Sequence, residues 1–222
     1  MFGCAGHPIY RFILSGILRI FDILTNKNMK VIFLDHDGVI CLSTEWGGRH
    51  KKQKKVGRKL TQSVESLPVD ARFDNFNKKA IDVLNEILEE TSAEIVISSD
   101  WKRWATVEEM GEYYESQGIK KKPIAFTKNL AECDVPQNFI WSRQWDLEQS
   151  RSLEINQYLQ DHKEITHWVA VDDLNMGIPQ THDTWGDMVM DWGLTNFVLT
   201  PKSIEGIKQT GIKDKILNFL NN

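Results

Sequence analysis

Cysteine is scarce: Cys4, Cys41 and Cys133 are the only three, and they lie far apart in a chain of 222 residues. An odd, scattered set excludes a disulfide framework and a zinc cluster, and it fits a reducing compartment, so a cytoplasmic location is expected. Long apolar runs are missing as well. The early segment PIYRFILSGILRIFDIL is broken by Arg11, Arg19 and Asp22, short of the roughly 18 to 20 apolar residues a membrane span needs. It also lacks the basic lead and small-residue cleavage site of a signal peptide. Positive charge is not in excess. A formal net charge of -4 argues against nucleic-acid binding through bulk charge and leaves only a local basic patch for such a role. What is present is an ordinary globular composition, 41% hydrophobic and 26% charged, which excludes disorder throughout. The length suits one large domain, or one domain with an insertion.

Met29 leads directly into VIFLDHDGVI, four apolar residues that run into two aspartates one residue apart and then a glycine. This reads as a buried strand ending at a sharp bend. Residues 1–28 are therefore read as a dispensable extension, with an amphipathic helix on the domain or a membrane surface as the alternative. Residues 29–222 form the domain. Residues 42–74 are polar and basic with no sustained period, and are read as a flap or short cap insertion. Then Phe76, Ala80, Val83, Leu84, Ile87 and Leu88 recur at helical spacing, with Asp74 or Asn75 as the cap. AEIVISSDW gives a second strand, Thr106 and Glu109 a capping-box helix start through about Gln117, and KPIAF a third strand. SLEINQYLQDH is helical, HWVAVDD and TNFVLT are strands, and SIEGIKQTGIKDKILNFL is a closing helix weakened by Gly206 and Gly211.

Strands alternating with helices predict an α/β, Rossmann-like three-layer sandwich around a mostly parallel sheet. In such a sheet ligands bind beyond the carboxyl ends of the strands. Three strands end in polar groups there: Asp35 and Asp37, Ser98 and Ser99, Asp172 and Asp173. Clustered carboxylates repel one another, and a hard divalent cation such as Mg2+ relieves the repulsion while leaving room for a phosphate. That set suits phosphate activation, with a carboxylate nucleophile and a hydroxyl donor.

The run Asp35-His36-Asp37-Gly38-Val39, the apolar strand ending at Ser98, and VAVDD, in that order, resemble motifs of the haloacid dehalogenase (HAD) superfamily of phosphohydrolases. IVISSDWK, IAFTKNL, RSLEINQYL, VAVDD and GLTNFVLT resemble its small phage, bacterial and RNA-repair-associated members. The resemblance covers roughly residues 30 to 220 apart from the flap, and it implies roles. Asp35 would attack phosphorus and form an aspartyl phosphate. Asp37 would protonate the leaving oxygen and later activate water. Ser98, with Ser99 as the alternative, and Gly38 would bind the phosphoryl group. Asp35, the main-chain carbonyl of Asp37, and Asp173 would hold Mg2+, with Asp172 orienting or sharing that role. Arg151, at the start of RSLEINQYL, would offset negative charge, with Lys102 and Lys128 as rivals.

The expected activity is a magnesium-dependent phosphomonoesterase. A binding module that keeps the fold without turnover, and a phosphotransferase, are the alternatives. The tract with Arg49, Lys51, Lys52, Lys54, Lys55, Arg58 and Lys59 suits contact with nucleic-acid phosphates, and equally a solvated loop. Trp46, Trp101 and Trp104 are able to stack on bases, but among eight tryptophans several simply pack. His36 is expected to face away from the acids, as a packing or hydrogen-bonding residue.

Overall fold

The structure, a computed structural model, describes residues 29–133, 147–177 and 193–222; the expected extension over 1–28 lies outside them. Among the described residues five strands form one sheet: β1 (Met29–Leu34), β2 (Glu94–Ile97), β3 (Pro123–Phe126), β4 (Ile165–Asp172) and β5 (Phe197–Leu199). Their order is β3-β2-β1-β4-β5, with every pairing parallel. Six helices accompany them: α1 (Gly48–Lys55), α2 (Val69–Arg72), α3 (Lys78–Thr91), α4 (Val107–Gln117), α5 (Leu147–Asp161) and α6 (Ile212–Asn221). None is long and apolar enough to cross a membrane.

Strand alternation decides the layers, because successive side chains point to opposite faces. Val31 and Phe33 of β1, Val96 of β2 and Ala170 of β4 face one way and pack with Ile155 and Tyr158 of α5. Ile32, Leu34, Ile95, Ile97, Val169 and Val171 face the other way, into the larger core built with α3, α4 and α6. Each fully buried aliphatic side chain contributes about 1.5–3 kcal/mol, so a one-residue slip, which would invert both faces, is strongly disfavoured. The register that results sets Leu34 beside Ile97 on one flank and Val171 on the other. The three polar strand ends therefore emerge together.

Helix boundaries follow local chemistry. The side chain of Asn77, rather than Asp74 or Asn75, caps α3 by accepting from Ala80 N at 3.3 Å. Asp74 serves a different helix: its carboxylate accepts from Gly47 N and Arg49 N at the start of α1. The Thr106–Glu109 capping box of α4 forms as expected. The closing segment splits. A short 3-10 turn over Gly206–Lys208 precedes α6, and Gly206, at φ 54, packs so tightly that a Cβ there would sit 2.2 Å from the Val39 carbonyl oxygen.

The basic segment is not irregular along its whole length. It contains α1 and α2, and it is anchored by buried Leu42, Leu67, Ala71 and Phe73. Arg72 is buried too, held by Leu67 O at 2.8 Å and by both carboxylate oxygens of Glu109 at 2.7 and 2.8 Å.

Candidate active site

The same alternation that builds the core sorts the residues at the strand ends. Asp35 continues the side of Val31 and Phe33, Ser98 that of Val96, and Asp172 that of Ala170, so all three belong to the face covered by α5. Arg151 comes from that helix. Its Nη1 donates to Asp35 Oδ1 at 2.8 Å and to Asp172 Oδ2 at 2.9 Å, and all three side chains are buried. Asp172 Oδ1 accepts from Leu174 N at 2.9 Å, which commits both its oxygens. His36 falls on the opposite face. Its Nε2 lies 2.6 Å from the Tyr114 hydroxyl, and its ring packs on Trp101 and Phe76, as its expected packing role requires. Burial drives its pKa down to about 3, with Arg151 adding to the effect, so it is a neutral core residue at working pH.

Beyond β1 the chain turns tightly. The His36 carbonyl accepts from the amides of Val39, Ile40 and Cys41, and Gly38 N donates to Cys41 O at 2.9 Å. Gly38 sits at φ 73, a left-handed conformation that glycine adopts without steric cost. A second constraint acts on the same position. A Cβ on Gly38 would fall 2.3 Å from Asp173 Oδ2, so the missing side chain is what lets Asp173 close over the turn. The turn brings Asp37 to the surface, where its Oδ2 accepts from Trp101 Nε1 at 2.8 Å and the Cys41 thiol donates to it as well.

Asp35, Asp172 and Asp173 each offer a carboxylate oxygen within 4.8 Å of the others. Burial, then Asp172, push the Asp35 pKa well above the usual carboxylate range, and Arg151 only partly offsets this. Asp172 is raised by burial and held back by Arg151, while burial and Asp172 raise Asp173 to about 6. Burial opposes the Arg151 charge, but Asp35 and Asp172 outweigh it and raise its pKa above that of an ordinary arginine. Three acids against one guanidinium leave an unbalanced negative charge. An all-oxygen donor set of this kind fits a hard divalent cation such as Mg2+. The Asp37 carboxylate is not in the cluster, and its Oδ2 is taken by Trp101.

The two serines are distinct. The Ser98 hydroxyl oxygen is buried without a hydrogen-bond partner among the described residues, whereas Ser99 Oγ accepts from Trp101 N at a long 3.5 Å. A buried hydroxyl without a protein partner costs stability and is able to donate to a ligand. The rivals to Arg151 lie elsewhere. Lys102 Nζ bonds Glu154 Oε2, Thr127 Oγ1 and the Lys128 carbonyl, and Lys128 Nζ donates to Asp161 Oδ2. Glu154 also accepts from Leu130 N at 2.8 Å, tying α5, and with it Arg151, to the segment after β3.

Sequence reasoning left the Trp101–Asp37 bond unread. The two lie 64 residues apart, and only the position of Trp101 just past a strand end hinted that it reaches the site.

A parallel sheet with an acid-x-acid turn on its central strand and paired acids at the tip of the neighbouring strand is the HAD form of the Rossmann-like fold. Within that superfamily the chain belongs to one family: the model for the HAD domain in Swiss Army Knife RNA repair proteins matches residues 31–196. No curated protein and no solved structure shows significant similarity to the chain. Membership suggests phosphohydrolase-type chemistry, with which the acidic cluster is compatible.

Proposed function

We propose that the protein is a magnesium-dependent phosphomonoesterase that works through an aspartyl phosphate on Asp35 and acts on nucleotide or nucleic-acid terminal phosphates. The observation that carries this reading is the buried pairing of Asp35 with Arg151, on the same side of the strand ends as a Ser98 hydroxyl that has no partner among the described residues. A carboxylate to attack phosphorus, a guanidinium to offset negative charge and a hydroxyl to donate to a phosphoryl oxygen suit a phosphate group.

In the first step an Asp35 oxygen attacks phosphorus and the bond to the leaving oxygen breaks. Asp37 donates its proton to that oxygen, a role helped by the desolvation that raises its pKa above the ordinary range. Ser98 donates a hydrogen bond to a phosphoryl oxygen, and Arg151 balances the charge on phosphate and nucleophile. In the second step Asp37, now a carboxylate, takes a proton from the water that attacks phosphorus. The bond from phosphorus to Asp35 breaks, releasing inorganic phosphate and restoring Asp35. Mg2+ would be held by Asp35, the main-chain carbonyl of Asp37 and Asp173, and would supply positive charge to offset the carboxylates and the phosphate. Asp172 fixes Arg151 in place.

Two features support a nucleic-acid end as substrate. The family is described by its RNA-repair proteins. The second is charge: Arg49, Lys51, Lys54, Lys55, Arg58 and Lys59 are exposed, and no acid occurs between Trp46 and Val64. Lys52 is the exception in the tract. Its ammonium bonds the carbonyls of Asp70 and Phe73, so it braces the segment rather than facing a ligand.

The test is phosphate release from an aryl phosphate, nucleotides and 5′- and 3′-phosphorylated oligonucleotides, with Mg2+ and with chelator. Turnover that needs Mg2+ and vanishes in Asp35→Asn is the expected result. Turnover unchanged in that variant would remove Asp35 as nucleophile, and no turnover on any member would favour the binding module.

A further inference from the structure

Asp35 is buried while Asp37, two residues on, is exposed. If Asp37 protonates the leaving oxygen, the leaving group lies on the exposed side of that carboxylate, against the first residues of the basic segment. Two side chains there are held in place yet open. Trp46 is 50% exposed among the described residues, and its Nε1 donates to the Cys41 carbonyl at 3.2 Å. Cys41 in turn is bridged to Asp37. A lone exposed aromatic needs no explanation, but this one has its polar edge turned inward to the backbone beside the acid and a large share of its surface open. Arg49 has a side chain 48% exposed, its Nε 3.9 Å from the buried Asp74 carboxylate that also caps α1, and its charge acts on Asp37.

We propose that Trp46 and Arg49 form a leaving-group subsite for the end of a single-stranded polynucleotide: the indole face stacks on the terminal base, and Arg49 contacts the next phosphodiester. The inference rests on the phosphatase reading above. Its chemistry is that of an aromatic platform beside a cationic groove, which accepts any base because every base has a π-face. A side chain already fixed by its hydrogen bond loses less freedom on stacking than a mobile one. The lysines of α1 continue the positive charge beyond Arg49 without sequence choice. Duplex ends, whose terminal base is already paired and stacked, should therefore be poorer substrates than single strands.

The test is a cycle that sets base-bearing against abasic ends and wild type against Trp46→Ala, with Trp46→Phe and Arg49→Gln alongside. Substrates are a terminally phosphorylated single-stranded RNA octamer and the same octamer with an abasic terminal residue, each phosphorylated at 5′ or at 3′. Wild type should prefer the base-bearing end in kcat/KM by about 5- to 150-fold, the range for one stacked base. Trp46→Ala should collapse that ratio towards one, and Trp46→Phe should restore most of it. Arg49→Gln should lower the dependence of log kcat/KM on log salt by a slope of about one. A base-to-abasic ratio that Trp46→Ala leaves unchanged overturns the proposal. Absence of turnover from wild type on every substrate would be a failure of the phosphatase reading alone. The same cycle is then read as dissociation constants by fluorescence anisotropy with end-labelled octamers, and a ratio insensitive to Trp46 again overturns the subsite.

Discussion

Replacing Trp101 by Phe should separate the two half-reactions of the proposed mechanism. Trp101 is 5% exposed, stacks on Phe73 with centroids 4.7 Å apart, and directs Nε1 at Asp37 Oδ2 at 2.8 Å. Phenylalanine keeps a ring in that stack and removes the donor. A hydrogen bond to a charged acceptor is worth about 1.5–3 kcal/mol, which at about 1.4 kcal/mol per decade is roughly 10- to 150-fold in rate. The full factor applies when Asp37 becomes wholly ionised in the transition state; a half-transferred proton realises about 3- to 12-fold of it. The sign differs between the steps. While Asp37 gives up its proton its negative charge grows, and the indole N–H stabilises it. While Asp37 accepts a proton from water its charge falls, and the same bond works against the step. Trp101→Phe should therefore slow phosphorylation of Asp35 by alkyl phosphates, whose leaving oxygen needs the proton. It should leave phosphorylation by 2,4-dinitrophenyl phosphate, which does not, near wild type. Hydrolysis of the phosphoenzyme should be unchanged or faster. Rapid-quench kinetics with both substrates, alongside thermal melts, decides the matter. An equal loss on both substrates would reduce Trp101 to a packing residue and refute the reasoning.

Other substitutions probe the remaining parts of the site and its frame. Ser98→Ala removes a buried hydroxyl that has no partner among the described residues; stability in urea should match or exceed wild type while kcat/KM falls about tenfold or more. Gly38→Ala forces a Cβ against Asp173 at φ 73, so Mg2+ affinity measured by calorimetry should drop, with about 1 kcal/mol or more lost from stability. The hydrogen bond from Arg72, then that from Thr106 N, lower the Glu109 pKa. Because the folded value is depressed, the stability it brings is present above the unfolded value near 4.3 and lost as pH falls through the folded value. With Glu109 35% exposed, wild type should exceed Glu109→Gln by about 1 kcal/mol or less at neutral pH, and chemical denaturation below about pH 4 should show that gap closing. Neutralising Lys51, Lys54 and Lys55 should flatten the salt dependence of oligonucleotide binding, whereas Lys52→Gln should lower the melting temperature instead.

What was legible in the sequence was whatever the chain encodes locally. The apolar runs marked β1, β2 and β4, the Thr106–Glu109 pair marked the start of α4, and strand-end acids marked the edge of the parallel sheet where the carboxylates cluster. Alternation also separates the two serines, since stepping two residues on from Val96 places Ser98, not Ser99, on the Asp35 side. Helix α1 was missed for a physical reason. Its only buried residue is Gln53, so no apolar stripe announces it. It is held by Asp74 at its start and by Lys52 reaching to Asp70 and Phe73, contacts made across 18 to 27 residues of chain. The Trp101–Asp37 bond and the Arg72–Glu109 pair are invisible to local pattern on the same grounds.

The two acids one residue apart thus draw on opposite faces of one sheet. Asp35 is served from the α5 side by Arg151 and stands beside Asp172, in a setting that buries charge and offsets it in part with charge. Asp37 is served from the other side. Trp101 is clamped in the aromatic core with Phe73, Phe76 and His36, and returns through its indole nitrogen to the surface turn. His36, between the acids, is the divider: its side chain fixes the aromatic face, and its carbonyl accepts the three amides that shape the turn. On the proposed mechanism, Asp35 would therefore depend on the electrostatics of the α5 layer and Asp37 on packing in the aromatic layer. It follows that substitutions in the α5 layer should act on both half-reactions through Asp35, whereas substitutions in the aromatic layer should act through proton transfer alone.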